Sequence, residues 1–339
     1  GVGGGGTWGD FDADGFVDLI VARHLHEYRA MAMTNRDFYE RTGGLVLFRN
    51  NGDGTFVDLT SLLGETDRSR SIVSGNQVPV GENLQDTDVV IGAQFGEIWG
   101  AGFQPGWADF DNDGDLDLYV VNDLGPHIQP NVLWRNDGLG IDGEWVFSNV
   151  SIESNANLSI DGMSLAVADY DKDGSLDIFM TNIGDNILLR HDGQGLSFKD
   201  VSQQAGVTVG KIGDEVRVAW GAVFFDFDND MDEDLYVVSG HLDFGAEVNP
   251  EEQRNVLLRN DEGIFSDLSN ISGADDPGVG RGVAYLDFNG DGCLDLFVTN
   301  YGQRSKLLRN SCDTGNGWLV IQPVGTVSNR DSIGARISV

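Results

Sequence analysis

The stretch 109-DFDNDGDLDLYVVND-123 sets acidic residues at alternate positions and then runs into an apolar segment. The same phrase returns as 10-DFDADGFVDLIVA-22, 169-DYDKDGSLDIFMTN-182, 226-DFDNDMDEDLYVVS-239 and 287-DFNGDGCLDLFVTN-300. Successive copies begin 99, 60, 57 and 61 residues apart, so the chain is built on a repeat of about 60 residues whose first unit is enlarged. The enlargement lies in segments at about 23–43 and 61–106.

Within a unit, hydrophobicity alternates with period two and is punctuated by Gly, Asn and Asp, the pattern of short strands joined by turns. The third unit predicts strands at 164-SLAVADY-170, 176-LDIFMTN-182, 186-NILLRH-191 and 197-SFKDVS-202. A third-strand phrase recurs in step with the acidic one, as 45-LVLFRNNGDGTF-56, 131-NVLWRNDG-138, 186-NILLRHDG-193, 255-NVLLRNDEGIF-265 and 306-KLLRN-310. Four short strands per unit, repeated, predict an all-β chain folded as a β-propeller of four-stranded blades. Five blades are visible, and the expectation is that further blades lie upstream, seven in the full protein. Helix is expected only as a turn near 247-EVNPEEQRN-255.

Positions 1, 3, 5 and 9 of the acidic phrase are Asp10, Asp12, Asp14 and Asp18 in the first copy and Asp109, Asp111, Asp113 and Asp117 in the second. They are Asp169, Asp171, Asp173 and Asp177 in the third, Asp226, Asp228, Asp230 and Asp234 in the fourth, and Asp287, Asn289, Asp291 and Asp295 in the fifth. Four carboxylates in one turn repel each other, and a divalent cation reverses the sign of that interaction. The alternation aims positions 1, 3 and 5 at one point, and glycine at position 6 permits a sharp bend that lets position 7 offer a carbonyl. Oxygen-only donors in this number suit Ca2+ better than zinc or copper, and better than Mg2+, which demands tight octahedral geometry. About five Ca2+ ions are therefore expected, more weakly held where Met231 replaces the bend glycine and where Asn289 replaces a carboxylate.

An EF-hand begins with the same Asp-x-Asp-x-Asp-Gly, but it needs a bidentate Glu at position 12 and flanking helices. Position 12 is Val21, Val120, Met180, Val237 and Val298, all inside β-rich runs, so that alternative fails.

With 55 Asp and Glu against 21 Lys and Arg, the net charge is -34. Such a surface repels phosphate backbones and anionic lipid, which argues against nucleic acid and membrane surfaces as partners. No apolar run approaches the ~20 residues of a membrane-spanning helix. The sequence opens GVGGGG, without initiator methionine or charged-then-apolar leader, as in a fragment or a processed chain. Cys293 and Cys312 can form one disulfide or remain two separate thiols. His24 and His26 share a strand face ahead of Glu27, but a surface position competes with a transition-metal site. His127, His191 and His241 fall between strands. Trp99, Phe103, Trp107 and Trp145 can line a binding face or pack blades together. The chain has no GxSxG, HExxH or P-loop, so no enzyme is expected from motifs.

The repeated DxDxDGxxDL phrase resembles the FG-GAP and VCBS repeats of integrin α-subunit propellers and bacterial surface proteins. The tail 316-NGWLVIQPVGTVSNRDSIGARISV-339 is similar to the start of the ASPIC/UnbV module: Asn316, Trp318 and Leu319, then Ser328, Asn329, Asp331, Ile333, Gly334 and Ala335. Gly240-His241 matches a Gly-His step of the same family. The resemblance implies a propeller over 1–311 and the first part of an ASPIC/UnbV-like module over 312–339. As a member of the cartilage acidic protein-like family, the chain is expected to be extracellular, at the cell surface or periplasmic. It is expected to bind an extracellular protein or glycan in adhesion or matrix. Two alternatives stand beside it: a calcium-propeller enzyme acting on polysaccharide, and a structural subunit that self-assembles through 61–106.

Overall fold

A computed structural model of the chain describes residues 2–24, 44–63, 101–126, 129–212, 215–241, 253–312, 314–326, 329–330, 332–333, 335 and 337. Most of both insertions, His26, Glu27, Trp99 and His127 lie outside them, as do most of 247–255 and Ser328, Asp331 and Gly334 of the tail. Two compact units form, one of residues 1–162 with 323–339, the other of 163–322.

The fold is all-β, five propeller blades of antiparallel sheet. The first unit holds two of them. One orders β1 (Val2–Gly9), β2 (Asp18–His24), β3 (Gly44–Asn50) and β4 (Phe56–Asp58) side by side. The other orders β5 (Ala101–Ala108), β6 (Asp117–Asp123), β7 (Val132–Leu139) and β8 (Trp145–Asn149). The second unit carries β9 (Gly162–Ala168), β10 (Asp177–Asn182), β11 (Ile187–His191) and β12 (Phe198–Asp200) as the third blade. A short hairpin of β13 (Lys211–Ile212) and β14 (Glu215–Val216) leads to the fourth.

That blade is β15 (Ala219–Phe225), β16 (Asp234–Ser239), β17 (Val256–Asp261) and β18 (Ile264–Asp267). The fifth comprises β19 (Gly280–Leu286), β20 (Asp295–Asn300) and β21 (Lys306–Leu308), three strands among the described residues. The strands expected in the third unit fall on β9 to β12. The described α-helices are single turns, α1 (Ser202–Ala205) and α2 (Ser269–Ser272).

In the second, third and fourth blades the second strand reads as a near-continuous apolar run because it is buried on both faces: every residue of β6 and β16 and all but the last of β10 are buried. In the first and fifth blades β2 and β20 are only partly buried. In the first unit, Phe11, Ile20 and Leu47 share a core with Leu118, Trp134 and Phe147 of the next blade. Trp107 and Trp145 stack on and edge against Phe11, with centroids 6.0 and 5.9 Å away, so both work as blade packing.

In the second unit, Phe179 and Leu188 pack with Phe224, Leu235 and Leu258. Tyr236, Val238 and Leu257 pack in turn with Leu296 and Val298 of the last blade. Gly240, of the Gly-His step, is required where it stands: a Cβ there would lie 2.7–2.8 Å from the backbone of Gly280.

The fourth strand ends in a device that recurs in four blades. The hydroxyls of Thr60, Ser151, Ser202 and Ser269 accept the N–H groups of Leu47, Leu133, Leu188 and Leu257 in the neighbouring third strand. Cys293 and Cys312 form a disulfide, Cα to Cα 5.6 Å, that pins the segment after β21 to the acidic turn of the fifth blade.

Candidate metal centres

The acidic phrase forms the turn between the first and second strands of every blade, and its conformation is the same in all five. Position 4 has positive φ in each copy, at Ala13, Asn112, Lys172, Asn229 and Gly290, with values between 53° and 75°. Position 6 is also left-handed, at Gly15, Gly114, Gly174, Met231 and Gly292, with φ between 75° and 99°. A left-handed non-glycine residue costs roughly 1–2 kcal/mol, so something must hold the loop.

The carboxylates hold it. At position 1 in the first copy, Asp10 accepts the N–H groups of Asp14 and Gly15 at 3.0 and 3.1 Å. Asp109, Asp226 and Asp287 take the corresponding pair at 2.9–3.2 Å. Position 5 accepts the N–H two residues on, at 2.8–3.1 Å, through Asp14, Asp113, Asp173, Asp230 and Asp291. These local bonds favour Asp at both places before any ion is considered.

Position 9 is different in kind. Asp18, Asp117, Asp177, Asp234 and Asp295 are fully buried, each opening the second strand. One oxygen accepts the N–H of position 2, the next-to-first residue of the loop, at Phe11, Phe110, Tyr170, Phe227 and Phe288. The other accepts an N–H from the third strand or the residue just beyond it, at Asn50, Asn136, His191, Asn260 and Asn310, over 2.7–2.9 Å. This carboxylate staples loop, second strand and third strand together.

In the first three copies, ligand oxygens of positions 1, 3 and 9 converge: Asp10, Asp12 and Asp18; Asp109, Asp111 and Asp117; Asp169, Asp171 and Asp177. In the fourth, positions 1, 3 and 5 converge instead, as Asp226, Asp228 and Asp230. Each set fits within 4.8 Å, and among the described residues the fifth copy forms no such set. There Asn289 donates through Nδ2 to Asp291 at 2.7 Å, closing the two side chains on each other.

Electrostatics separates the copies in the same way. Burial raises Asp18 to about 7 and Asp117, Asp177 and Asp234 to about 8, with repulsion from nearby loop carboxylates adding to it. Burial and then Asp230 and Asp226 raise Asp228 to about 6. Burial also raises Asp10, Asp111 and Asp171. Asp287, partly open to solvent, is instead held low by the N–H of Gly292.

The donor set suits a hard divalent ion: oxygen only, mutually repelling and partly dehydrated. Two oxygens point directly to it. Oδ1 of Asp171 and Oδ1 of Asp228 are buried without a close hydrogen bond, the N–H two residues on being the donor nearest each carboxylate, a costly state that a cation relieves.

Two further groups belong to the centres and were not singled out in the sequence. The Arg of the third-strand phrase stands beside the acidic loop: Arg49 pairs with Asp12 and, at 2.9 Å, with Asp14. Arg190 lies 3.7 Å from Asp171 and Arg309 3.8 Å from Asp291. In the second and fourth blades the same arginines turn to Asp137 and Asp261.

The Asn after that Arg reaches the neighbouring blade. Asn136 Nδ2 donates to the carbonyl of Phe11 at 2.9 Å, Asn260 to Tyr170 at 2.8 Å and Asn310 to Phe227 at 2.6 Å. Each acceptor is position 2 of the preceding blade's acidic loop, so ordering one loop orders the joint to the next blade. The in-register Arg-Asn dipeptide is the signal that marked them.

Two of the described histidines take structural places. His24 Nε2 lies 3.0 Å from Asp123, and His191 ends β11 rather than occupying a loop, edge-on to Phe198 at 5.1 Å.

Comparison with known proteins agrees with this construction. A model of the FG-GAP-like repeat matches residues 109–180 and 169–237. Cartilage acidic protein 1 of Mus musculus is 25% identical over 218 residues, which are 61% of this chain and 30% of that protein. The Xenopus tropicalis protein of the same name is 28% identical over 223 residues, 62% of this chain and 31% of its own length. The alignments thus span about a third of the relatives' length. A solved Agrocybe aegerita lectin that recognises non-reducing terminal N-acetylglucosamine covers 91% of this chain at 17% identity, with a TM-score of 0.36, too loose a superposition to build on.

Proposed function

Since the chain carries FG-GAP-like repeats and is homologous to cartilage acidic protein 1, we propose that it is a calcium-stabilised binding propeller acting outside the cytoplasm. The observation that carries the calcium reading is the convergence of three carboxylates at the same place in four successive blades, with buried oxygens that lack a close hydrogen bond at Asp171 and Asp228. Asp10, Asp12 and Asp18, and their counterparts in the second and third blades, hold the ion. In the fourth blade Asp226, Asp228 and Asp230 do so.

A bound Ca2+ supplies positive charge that turns mutual repulsion among these groups into attraction. The chain's own part is mechanical. Position 9 staples the loop to two strands, and the Asn of the next blade clasps it at position 2, so a neutralised loop stiffens the joint between blades. The centres therefore act on the scaffold, leaving the loops and insertions to bind an extracellular protein or glycan. The Cys293–Cys312 disulfide supports an oxidising compartment, and among the described residues no helix is long and apolar enough to cross a membrane.

The test has two parts on one preparation. Equilibrium dialysis with radiolabelled calcium measures stoichiometry, and at least four sites are expected. Pull-down from extracellular material with calcium and then with chelator reads partners by mass spectrometry and sugar composition, and calcium-dependent capture is expected. Stoichiometry below one, or a melting temperature indifferent to chelator, sinks the calcium reading.

A further inference from the structure

In the second and fourth blades, a buried polar relay links the second strand to the segment after the fourth. Tyr119 donates its hydroxyl to the carbonyl of Ala156 and is bonded by the side chain of Asn131. In the fourth blade Tyr236 donates to Ala274, and Asn255 Nδ2 donates to the Tyr236 hydroxyl at 3.1 Å. Position 11 of the repeat is thus a tyrosine that satisfies an asparagine lying just before the third strand.

The third blade keeps the asparagine and lacks the hydroxyl. Position 11 is Phe179, and Asn186 is completely buried. Its Oδ1 accepts the N–H of Asn182 at 3.2 Å, which fixes the orientation of the amide. Its Nδ2 is left buried with no partner in the protein. The carbonyl of Val207, at the place of Ala156 and Ala274 in the repeat, is taken by the N–H of Val209 at 2.9 Å. An orphaned buried amide is costly, and Asn186 is among the residues that line a cavity of about 600 Å3.

The rest of the wall says what fits. Asp185, Asp200, Gln203, Gln204 and Thr208 join Asn186 there, and no lining side chain is cationic. An anion is repelled by two carboxylates. An amine meets another donor at the buried Nδ2. A hydroxyl accepts from Asn186 and donates to a carboxylate or a glutamine oxygen, and a ligand carrying several hydroxyls satisfies the wall at several points. We propose that the cavity of the third blade binds a neutral saccharide, with Asn186 as the buried donor at its base and Gln203 and Gln204 as its exposed rim. This rests on the reading of the propeller as a binding module and names one class of its ligands.

The experiment is saturation-transfer difference NMR on the full chain in calcium, against a panel of neutral mono- and disaccharides. Phe179→Tyr supplies the hydroxyl that the other two blades have, occupying Nδ2. The exposed pair Gln203→Ala and Gln204→Ala alters the rim without touching the core. At least one sugar is expected to give signal with the parent chain. Its affinity is expected to fall by about tenfold or more in F179Y and to weaken in the rim variant, with melting unchanged or raised. No signal from any sugar, the result if the cavity takes only water, overturns the proposal. So does binding that survives both changes. Should F179Y fail to fold, the rim variant decides. A failed sugar screen alongside calcium-dependent capture of a protein leaves the functional reading intact.

Discussion

Replacing Asp117 by Ala removes the staple of the second blade and leaves its surroundings almost unchanged in shape. The side chain is fully buried and accepts two backbone N–H groups, from Phe110 at 3.0 Å and from Asn136 at 2.9 Å. Both donors lose their acceptor. Each unsatisfied buried donor costs about 1–3 kcal/mol, so the substitution is expected to destabilise the first unit by about 2–6 kcal/mol. For a unit of this size that is roughly 2–4 °C of melting temperature per kcal/mol.

On the proposed calcium reading, the ion sets which end of the range applies, because with the ion bound Asp117 is a ligand as well as a staple. Without it, burial raises its pKa to about 8, so near neutral pH it is largely a neutral carboxyl making weaker bonds. The loss should therefore be larger in calcium than in chelator. The assay is thermal melting followed by circular dichroism in both buffers, with amide exchange at Phe110 and Asn136 to localise the damage. A change below about 0.5 kcal/mol, the level of an ordinary surface substitution, refutes the staple, and equal losses in the two buffers refute its role as a ligand.

Stability in chelator is expected to fall as pH rises from about 4 to 8. Asp18, Asp117, Asp177 and Asp234 have folded-state values of about 7 to 8, against 3.8 for an ordinary aspartate. Across that window the folded state binds protons the unfolded chain has lost, which makes the slope negative. Calcium should abolish the fall by taking the place of the protons, and melts at pH 5 and 8 that rise with pH in chelator would contradict this. Met231→Gly should stabilise the fourth blade by up to about 1 kcal/mol, because Met231 is exposed at φ 75°; urea denaturation would show it, and a loss of stability would count against strain there. Cys312→Ser opens a bridge between residues 19 apart and should cost about 3 kcal/mol, read as a lower urea midpoint that reducing agent reproduces in the parent chain but leaves unchanged in the variant.

Much of the architecture was legible because its determinants are local. Alternation, the two in-step phrases and their spacing specified five blades and placed the third blade's strands where they lie. Within the acidic loop, the bonds from positions 1 and 5 reach at most five residues along the chain, so side-chain type alone encodes the turn, even where Met231 stands for glycine. The positive φ at position 4 was hidden, since Ala13 and Lys172 carry no signature of it; the N–H groups bonded by position 1 impose it.

What the tertiary structure decided is everything that depends on register between distant segments. Position 9 belongs in the convergent set of three copies, and position 5 in that of the fourth, because burial and strand pairing determine which oxygens face inward. The arginine beside the loop in the first, third and fifth blades and the asparagine clasp between blades join residues 18 to 125 apart. The orphaned amide of Asn186 exists only because Phe179 lacks a hydroxyl that its counterparts in two other blades possess. A periodic sequence states what each position tends to do, but only the packed sheets bring those positions close enough to satisfy one another or leave one unsatisfied.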